Sequence, residues 1–371
     1  MNPVALVRKL GQAVLAPAIA LAVALLVTSL IIMLSGSSVS DFLGVLLQAP
    51  SNRNWVNIIN QASLLFLAAL AASIGFRMNL FNIGVEGQYT LASYAAALVA
   101  GMALVPGKLN AVVAIIVAMV VGGIWAGIAG VLKVTRGVSE VISTIMLNAI
   151  AITMVGYLMN TYGAQYGQGR RTTPLSSDAM FAGWTPFEPR DGALWTLALL
   201  AVVAGVVVSY LINRTRFGFD LRATGMNEAA AVASGVNVKR MVVISMVLSG
   251  AIAGLIWLPA LFGSAGYYGP PFQRGLGFAG IAVALLGRNR PLGIAFGAAL
   301  FAWLNEQANP LGLLAGISPS SVQITQGVVV LAVVIAYEVV RRWSAAREQK
   351  ALRASLDAAA AAAKANQEVS A

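Results

Sequence analysis

The stretch LNAVVAIIVAMVVGGIWAGIAGVL, residues 109–132, contains no Asp, Glu, Lys or Arg. A helix needs about 20 mainly apolar residues to cross the hydrocarbon core of a bilayer, and this stretch is long enough to do so. Charge is excluded from such a segment because lipid cannot solvate it. The stretch therefore predicts a transmembrane helix.

Nine further windows lack charged residues in the same way. They lie at residues 10–40, 54–76, 87–107, 141–169, 192–213, 241–273, 275–287, 291–305 and 307–337. Eight of the ten windows are long enough to span, whereas 275–287 and 291–305 are short and predict either two tilted helices or a re-entrant hairpin buried in protein. The sequence thus predicts an all-α integral membrane protein with about ten transmembrane helices, some of them broken or re-entrant.

The composition supports this class and excludes several chemistries. The 371 residues are 59% hydrophobic and 10% charged, against about 25% charged in a typical soluble domain. The absence of Cys and His excludes disulfides, thiol nucleophiles, Cys/His metal sites and histidine acid–base catalysis. We therefore predict no catalytic residue, no metal and no cofactor of the chain's own. The net charge of +11 is scattered between apolar runs, which argues against a nucleic-acid partner.

Lys and Arg placement predicts the orientation. With the N-terminus in the cytoplasm, 18 of the 24 basic residues fall on the cytoplasmic side, as the positive-inside rule requires. Both termini are then cytoplasmic. We expect one transmembrane domain over residues 1–344 and a charged, Ala-rich cytoplasmic tail over 345–371 that is disordered or partly helical.

The cytoplasmic stretch at 214–240 is the most informative loop. Two glycines bracket a run of good helix formers, Met226–Ser234, with Asn227 placed to cap it and Glu228 in its first turn. A short helix with small side chains can dock in a groove on a partner, so it is either a coupling helix or an ordinary interfacial helix. The candidate coupling residues are Gly225, Met226, Asn227, Glu228, Ala229, Ala230, Ala231, Val232, Ala233, Ser234 and Gly235.

Polar residues inside the apolar runs suggest a second site. A carboxylate such as Glu86 is costly at membrane depth unless it is paired or faces water. These residues either line a path for a hydrophilic solute or form hydrogen bonds between helices. The path candidates are Asn60, Gln61, Asn82, Glu86, Gln88 and Asn148.

The other long loop, residues 162–192, is placed outside and contains Gly, Pro, Ser and aromatic residues. It is either a docking surface for an external partner or a plain connector.

Four stretches resemble one family. FRMNLFNIGVEGQ (76–88) looks like the FNIGxEGQ signature of bacterial ABC importer permeases for nucleosides, within the group that includes ribose-type and branched-chain amino acid permeases. VSEVISTIMLN (138–148), FAGIAVALLGRNRPLG (278–293) and GMNEAAAVASGVNVKR (225–240) resemble further motifs of that family in the same order.

This resemblance, which covers about residues 55–340, implies an ABC type II-like importer permease in the bacterial inner membrane. It implies pairing with a second permease, usually a homologue, and docking of two ATP-binding subunits on the coupling helices. A periplasmic or lipid-anchored binding protein would deliver the solute, and membrane lipid surrounds the chain. The sequence contains no GxxxxGK[ST] motif, so ATP would be bound by the partner subunit.

Three functions remain open from the sequence. The first is the ABC permease, for nucleosides or else for sugars or another small polar solute. The second is an ion-coupled secondary transporter, for which Glu86, Glu140 and Glu306 are candidate relays. The third is a membrane-embedded enzyme, which the lack of a converging acid cluster disfavours.

Overall fold

The computed structural model describes residues 22–23, 25–34, 36–314, 316–318 and 320–332, with single positions at 335, 339, 342 and 349. The chain divides into two compact units, one of Leu43–Ala315 and one of Met1–Phe42 with Gly316–Ala371. The predicted tail at 345–371 lies outside the described residues except for Gln349.

The fold is all-α apart from one small hairpin. The helices are α1 Leu25–Leu34, α2 Val39–Leu46, α3 Asn52–Phe76, α4 Val85–Gly101, α5 Lys108–Arg136, α6 Glu140–Tyr162, α7 Leu199–Arg214, α8 Arg216–Met226, α9 Glu228–Ala233, α10 Val238–Gly254, α11 Leu258–Ala260, α12 Leu276–Leu286, α13 Pro291–Ala308, α14 Leu311–Leu314 and α15 Ser320–Ala332. The strands are β1 Ala164–Tyr166 and β2 Gly169–Arg171, which pair antiparallel.

Every charge-free window contains a helix, which confirms the predicted class. In the described part of the chain, five helices are long and apolar enough to cross a membrane: Asn52–Phe76, Lys108–Arg136, Glu140–Tyr162, Thr196–Arg214 and Val238–Ala265. Exposed Ile and Val side chains cover the outer faces of α5, α6 and α7, as expected of helices that face lipid. The chain is therefore a multi-pass membrane protein.

Some charge-free windows extend beyond the helices that they contain. Window 141–169 runs past the end of α6, because the uncharged residues after Tyr162 turn into the β1–β2 hairpin. Window 241–273 is helical only to Ala265, where a π-turn at Leu261–Ala265 ends at Gly266 with φ +69°. Charge alone could not detect either end, since hairpin and turn residues here are as uncharged as the helices.

Helices α5 and α10 pack with their backbones in contact. A Cβ atom at Gly250 would overlap the carbonyl of Gly122, and one at Gly122 would overlap the carbonyl of Gly250. Small residues at a four-residue spacing allow this close approach between membrane helices. This contact, together with buried α3, forms the interior of the Leu43–Ala315 unit.

Gly250→Ala is expected to destabilise the protein by about 1–3 kcal/mol, because the added methyl group forces α5 and α10 apart. The matched control is Gly156→Ala in α6, where a Cβ would meet nothing within 4 Å. The control should be neutral or slightly stabilising. Thermal denaturation in detergent checks both, and equal midpoints for the two variants would contradict the packing account.

The short window at 275–287 forms a half-length helix. Helix α12 has 11 residues, about 16 Å at 1.5 Å per residue, whereas a bilayer core is about 30 Å thick. Residues 266–275 before it are not helical. Helix α13 follows after a turn in which Arg288 and Asn289 have positive φ. Helix α12 has no side-chain cap of its own, so its N-terminal N–H groups need partners from other parts of the protein.

Candidate functional site

A break between α3 and α4 forms the first part of the site. Asn82 is fully buried in this break. Its amide exchanges hydrogen bonds with the Gln88 amide at 2.9 and 3.0 Å, and its Nδ2 also donates to Ser249 Oγ at 2.8 Å. Ser249 Oγ in turn donates to the Ala71 carbonyl at 2.7 Å. The non-helical segment is therefore tied to both α3 and α10.

Asn148 of α6 binds the same break from the opposite side. Its Nδ2 donates to the Ile83 carbonyl and its Oδ1 accepts from the Gly87 N–H, both at 2.8 Å. The side chain thus satisfies backbone groups at the start of α4 that the break leaves without helical partners. A Cβ at Gly87 would lie 2.8 Å from both Asn148 Cα and Oδ1, so glycine is needed for this approach.

Glu86 caps α12. Its Oε1 accepts from Gly275 N at 2.7 Å and its Oε2 accepts from Gly277 N at 2.9 Å. The Tyr89 hydroxyl, which has a single proton to donate, lies 3.1 Å from Glu86 Oε1 and 2.8 Å from the Gln273 carbonyl oxygen. A carboxylate is stabilised at a helix N-terminus, where unsatisfied N–H groups and the helix dipole favour negative charge. This arrangement explains how the Glu86 carboxylate, which is only 3% exposed, is tolerated inside the protein.

Asn60 and Gln61 lie apart from this network, at a second location. They line a cavity of about 270 Å³ between α3 and α13, which we call the amide pocket. The pocket is lined by Asn57, Asn60, Gln61, Trp195, Gln273, Ala302, Asn305, Glu306 and Asn309. The structure therefore separates the six predicted path residues into a pair that lines this cavity and a buried group of four whose side chains bond to one another or to backbone.

Gln307, next to the pocket residues in sequence, turns away from them. Its Nε2 donates to the carbonyls of Val45, Leu46 and Gln48. It holds the end of α2 against α13, whereas Asn305 and Glu306 face the pocket.

A larger cavity of about 1150 Å³ lies between α3, α7 and α13. Its walls are mainly apolar, including Phe66, Leu199, Val202, Val206 and Leu292. Such a lining suits lipid or another helix better than a hydrophilic solute, so the polar chemistry of this region is concentrated in the amide pocket.

The Gly225–Gly235 segment forms a shorter helix than predicted. Asn227 adopts an extended conformation and caps α9, its side chain accepting from Ala230 N at 3.0 Å. This extended residue ends α8 at Met226, so Met226 belongs to α8 and the helix covers Glu228–Ala233 rather than Met226–Ser234. Asn227 as the cap and Glu228 in the first turn are as predicted.

The outer surface of this segment carries small and apolar side chains beside the exposed polar residues Asn227, Glu228 and Ser234. Met226 is 88% exposed and Val232 is 58% exposed, while Ala231 is buried. Ala229, Ala230 and Ala233 are also exposed. Gly235 ends the segment with φ +83°, a conformation that favours glycine. Exposed Met and Val beside alanines form a surface suited to a protein partner.

Helix α8 connects this segment to the end of α3. Asn79 Nδ2 donates to the Gly225 carbonyl at 2.8 Å, and a Cβ at Gly225 would overlap the Arg77 carbonyl. Arg77 donates from Nε to the Asn289 carbonyl at 3.1 Å, in the turn between α12 and α13. Burial lowers the pKa of Arg77, and the positive charges of Arg222 and Arg290 lower this pKa further.

Sequence reasoning missed several of these residues. Arg77, which joins α3 to the α12–α13 turn, was not among the candidate residues. The need for a cap on α12 was visible in its sequence, because Gly275 and Gly277 offer no capping side chain. Nothing in the sequence pairs that terminus with Glu86, 189 positions earlier.

Comparison with known proteins finds that this chain is similar to permease components of transport systems. The family model for the permease component of branched-chain amino acid transport systems matches residues 54–337. The guanosine ABC transporter permease protein NupP of Bacillus subtilis is 33% identical over 90% of this chain and 96% of its own length. The nucleoside ABC transporter permease protein NupB of Lactococcus lactis is 31% identical, covering 74% and 77% of the two chains. The ribose import permease protein RbsC of Escherichia coli is 26% identical, covering 76% and 84%.

Proposed function

Since this chain belongs to the family of permease components of branched-chain amino acid transport systems, we propose that it is the membrane-spanning permease of an ABC importer that carries nucleosides. Two relatives over most of the chain are named as guanosine and nucleoside permeases. In this proposal the chain lies in the bacterial inner membrane with both termini cytoplasmic, as its basic residues favour.

The observation that carries the proposal is the exposed surface of the Gly225–Gly235 segment. ATP-binding subunits in the cytoplasm would cover Met226, Val232 and the alanines between them. ATP hydrolysis belongs to those subunits, because this sequence contains no Walker-type phosphate loop. A second permease, most simply a homologue, and an extracytoplasmic solute-binding protein complete the complex.

The contacts of α8 suggest how a push on α9 reaches the transmembrane helices. Displacement of α9 would move Gly225 and with it the Arg77–Asn79 turn at the end of α3. Arg77 would transmit the movement to the α12–α13 turn through Asn289. The buried Asn82 network keeps α3, α4, α6 and α10 together, so they would shift as a unit between two packed states. ATP binding and hydrolysis would change the populations of those states.

The proposal predicts ATP-driven uptake of labelled nucleosides by the assembled complex in proteoliposomes, with ribose and glucose as comparison solutes. Nucleoside uptake should exceed sugar uptake and should stop when ATP is omitted. If ribose were taken up and nucleosides were not, the transported solute would be a sugar. Uptake that persists without ATP in the presence of an ion gradient would contradict the ABC mechanism and favour a secondary transporter.

A further inference from the structure

The amide pocket combines an unusual set of side chains for a membrane protein. Six amides line it, Asn57, Asn60, Gln61, Gln273, Asn305 and Asn309. Each amide can both donate and accept hydrogen bonds. Its 270 Å³ equals the liquid volume of about nine water molecules at roughly 30 Å³ each, which is enough for a nucleobase or a sugar ring. Such a pocket suits a neutral solute that is rich in hydrogen-bonding groups.

One buried donor in this pocket has no acceptor. Gln61 Nε2 is inaccessible to solvent and has no hydrogen-bond partner in the described part of the chain. A buried amide donor left without an acceptor is rare in folded proteins because its desolvation is not compensated. The Gln61 side chain lines the cavity, so a rotation of its amide when a solute binds would bring this donor to a carbonyl, ring nitrogen or hydroxyl of the solute.

Glu306 provides the complementary acceptor. Its Oε1 accepts from Asn57 Nδ2 at 2.9 Å and its Oε2 from Asn309 Nδ2 at 3.4 Å. Each carboxylate oxygen can accept more than one hydrogen bond, so both retain capacity toward the cavity. Carboxylates accept from the exocyclic amino groups of nucleobases.

The charge of the pocket excludes one class of solute. Among the described residues, no Lys or Arg lines the cavity, and Glu306 is its one ionisable acid. A phosphate group would be repelled by Glu306 and would lose its hydration without a compensating cation. The lining therefore discriminates against nucleotides and sugar phosphates.

The walls of the pocket are held in place by hydrogen bonds that do not involve Gln61 or Glu306. Asn60 binds the Ala193–Trp195 segment, with Nδ2 donating to the Ala193 carbonyl at 3.0 Å and Oδ1 accepting from Trp195 N at 2.9 Å. This fixes Trp195 at the edge of the cavity. Asn60 is thus a positioning residue, whereas Gln61 and Glu306 remain available to a solute.

We infer that the amide pocket recognises the base or the sugar ring of an unphosphorylated nucleoside, with Gln61 donating to a base or hydroxyl oxygen and Glu306 accepting from an N–H or O–H group. The inference rests on the proposed function, and it locates solute selectivity on this chain rather than on the external binding protein alone.

The first test measures uptake kinetics of labelled guanosine by the assembled transporter. Glu306→Gln should raise KM about tenfold and Gln61→Leu about fivefold, each with little change in kcat or in ATP hydrolysis. Guanosine 5′-monophosphate should not compete with wild-type uptake. The matched controls are Asp41→Asn in α2 and Gln323→Leu in α15, two exposed positions outside the pocket, and they should keep the wild-type KM. A wild-type KM in both pocket variants would overturn the inference.

The second test does not depend on the identity of the solute. The chain has no cysteine, so Asn309→Cys introduces a single thiol at the pocket. Saturating concentrations of whichever solute the wild-type complex carries, nucleoside or ribose, should slow its reaction with a membrane-impermeant maleimide at least fivefold. Asp41→Cys, at an exposed position of α2 outside the pocket, should react at the same rate with and without solute. Unprotected labelling of Asn309→Cys would refute the pocket, whereas protection by ribose alone would keep the pocket and refute the nucleoside assignment.

Discussion

Replacement of Glu86 by alanine is expected to lower the stability of the folded protein by about 3 kcal/mol or more. The change removes the acceptor for two N–H groups, those of half-buried Gly275 and buried Gly277. Each orphaned donor costs about 1–3 kcal/mol, and the N-terminus of α12 also loses its negative charge. Glu86→Gln keeps an acceptor oxygen for one of the two groups and should fall between alanine and the wild type.

The measurement is the midpoint of thermal denaturation in detergent, followed by size-exclusion chromatography. Glu188→Ala is the control, because its carboxylate is 63% exposed and pairs only with exposed Arg190 among the described residues. That control should stay within about 0.5 kcal/mol of the wild type. If the Glu86→Ala protein kept wild-type stability but lost uptake, Glu86 would serve transport directly, as an ion-coupled mechanism requires.

The second large effect concerns the exposed surface of the Gly225–Gly235 segment. The double variant Met226→Asp with Val232→Asp should reduce ATP-driven uptake at least tenfold. Both side chains are apolar and exposed, and a partner that covers them would have to bury two charges without compensation. The free permease should remain folded, since neither side chain packs in its interior.

Co-purification distinguishes lost assembly from lost folding. The double variant should elute like the wild-type permease but retain little ATP-binding subunit. Met102→Asp is a matched control, because Met102 is 63% exposed and directly follows the C-terminal end of α4. It should leave uptake and assembly unchanged. Full uptake by the double variant would show that this segment does not couple the permease to the ATP-binding subunit.

The fold class follows from the sequence because lipid imposes one strong constraint. Charge-free runs such as 109–132 had to be helical, and α5 covers that run completely. The local cap of α9 was also predictable, since Asn227 and the Ala230 N–H that it binds are only three residues apart. Signals of this kind are readable because the interacting groups are neighbours in the chain.

The site required the tertiary structure. Asn82, Gln88 and Asn148 looked equivalent to Asn60 and Gln61 as polar residues in apolar runs. The first three bond to one another or to backbone away from the cavity, whereas Asn60 and Gln61 line it. Asn305 and Gln307 are two positions apart and face different environments. Which polar group meets a cavity depends on helix rotation and on partners far along the chain, and no local pattern encodes either.

The acids proposed as ion relays have specific partners. Glu140 forms an ion pair with Lys133 Nζ at 2.5 Å, and Glu86 accepts two backbone N–H groups. Glu306 lines the amide pocket with amides rather than with other acids. The three are thus engaged in different local structures, and they do not form one continuous acid chain.

Site-specific cross-linking at Ala230 tests the central claim most directly. In this cysteine-free chain, Ala230→Cys should cross-link to the ATP-binding subunit in inside-out membrane vesicles and should react with an impermeant maleimide only from the cytoplasmic face. Reaction from the exterior of intact cells, or ATP-independent transport by the purified chain alone, would contradict the account.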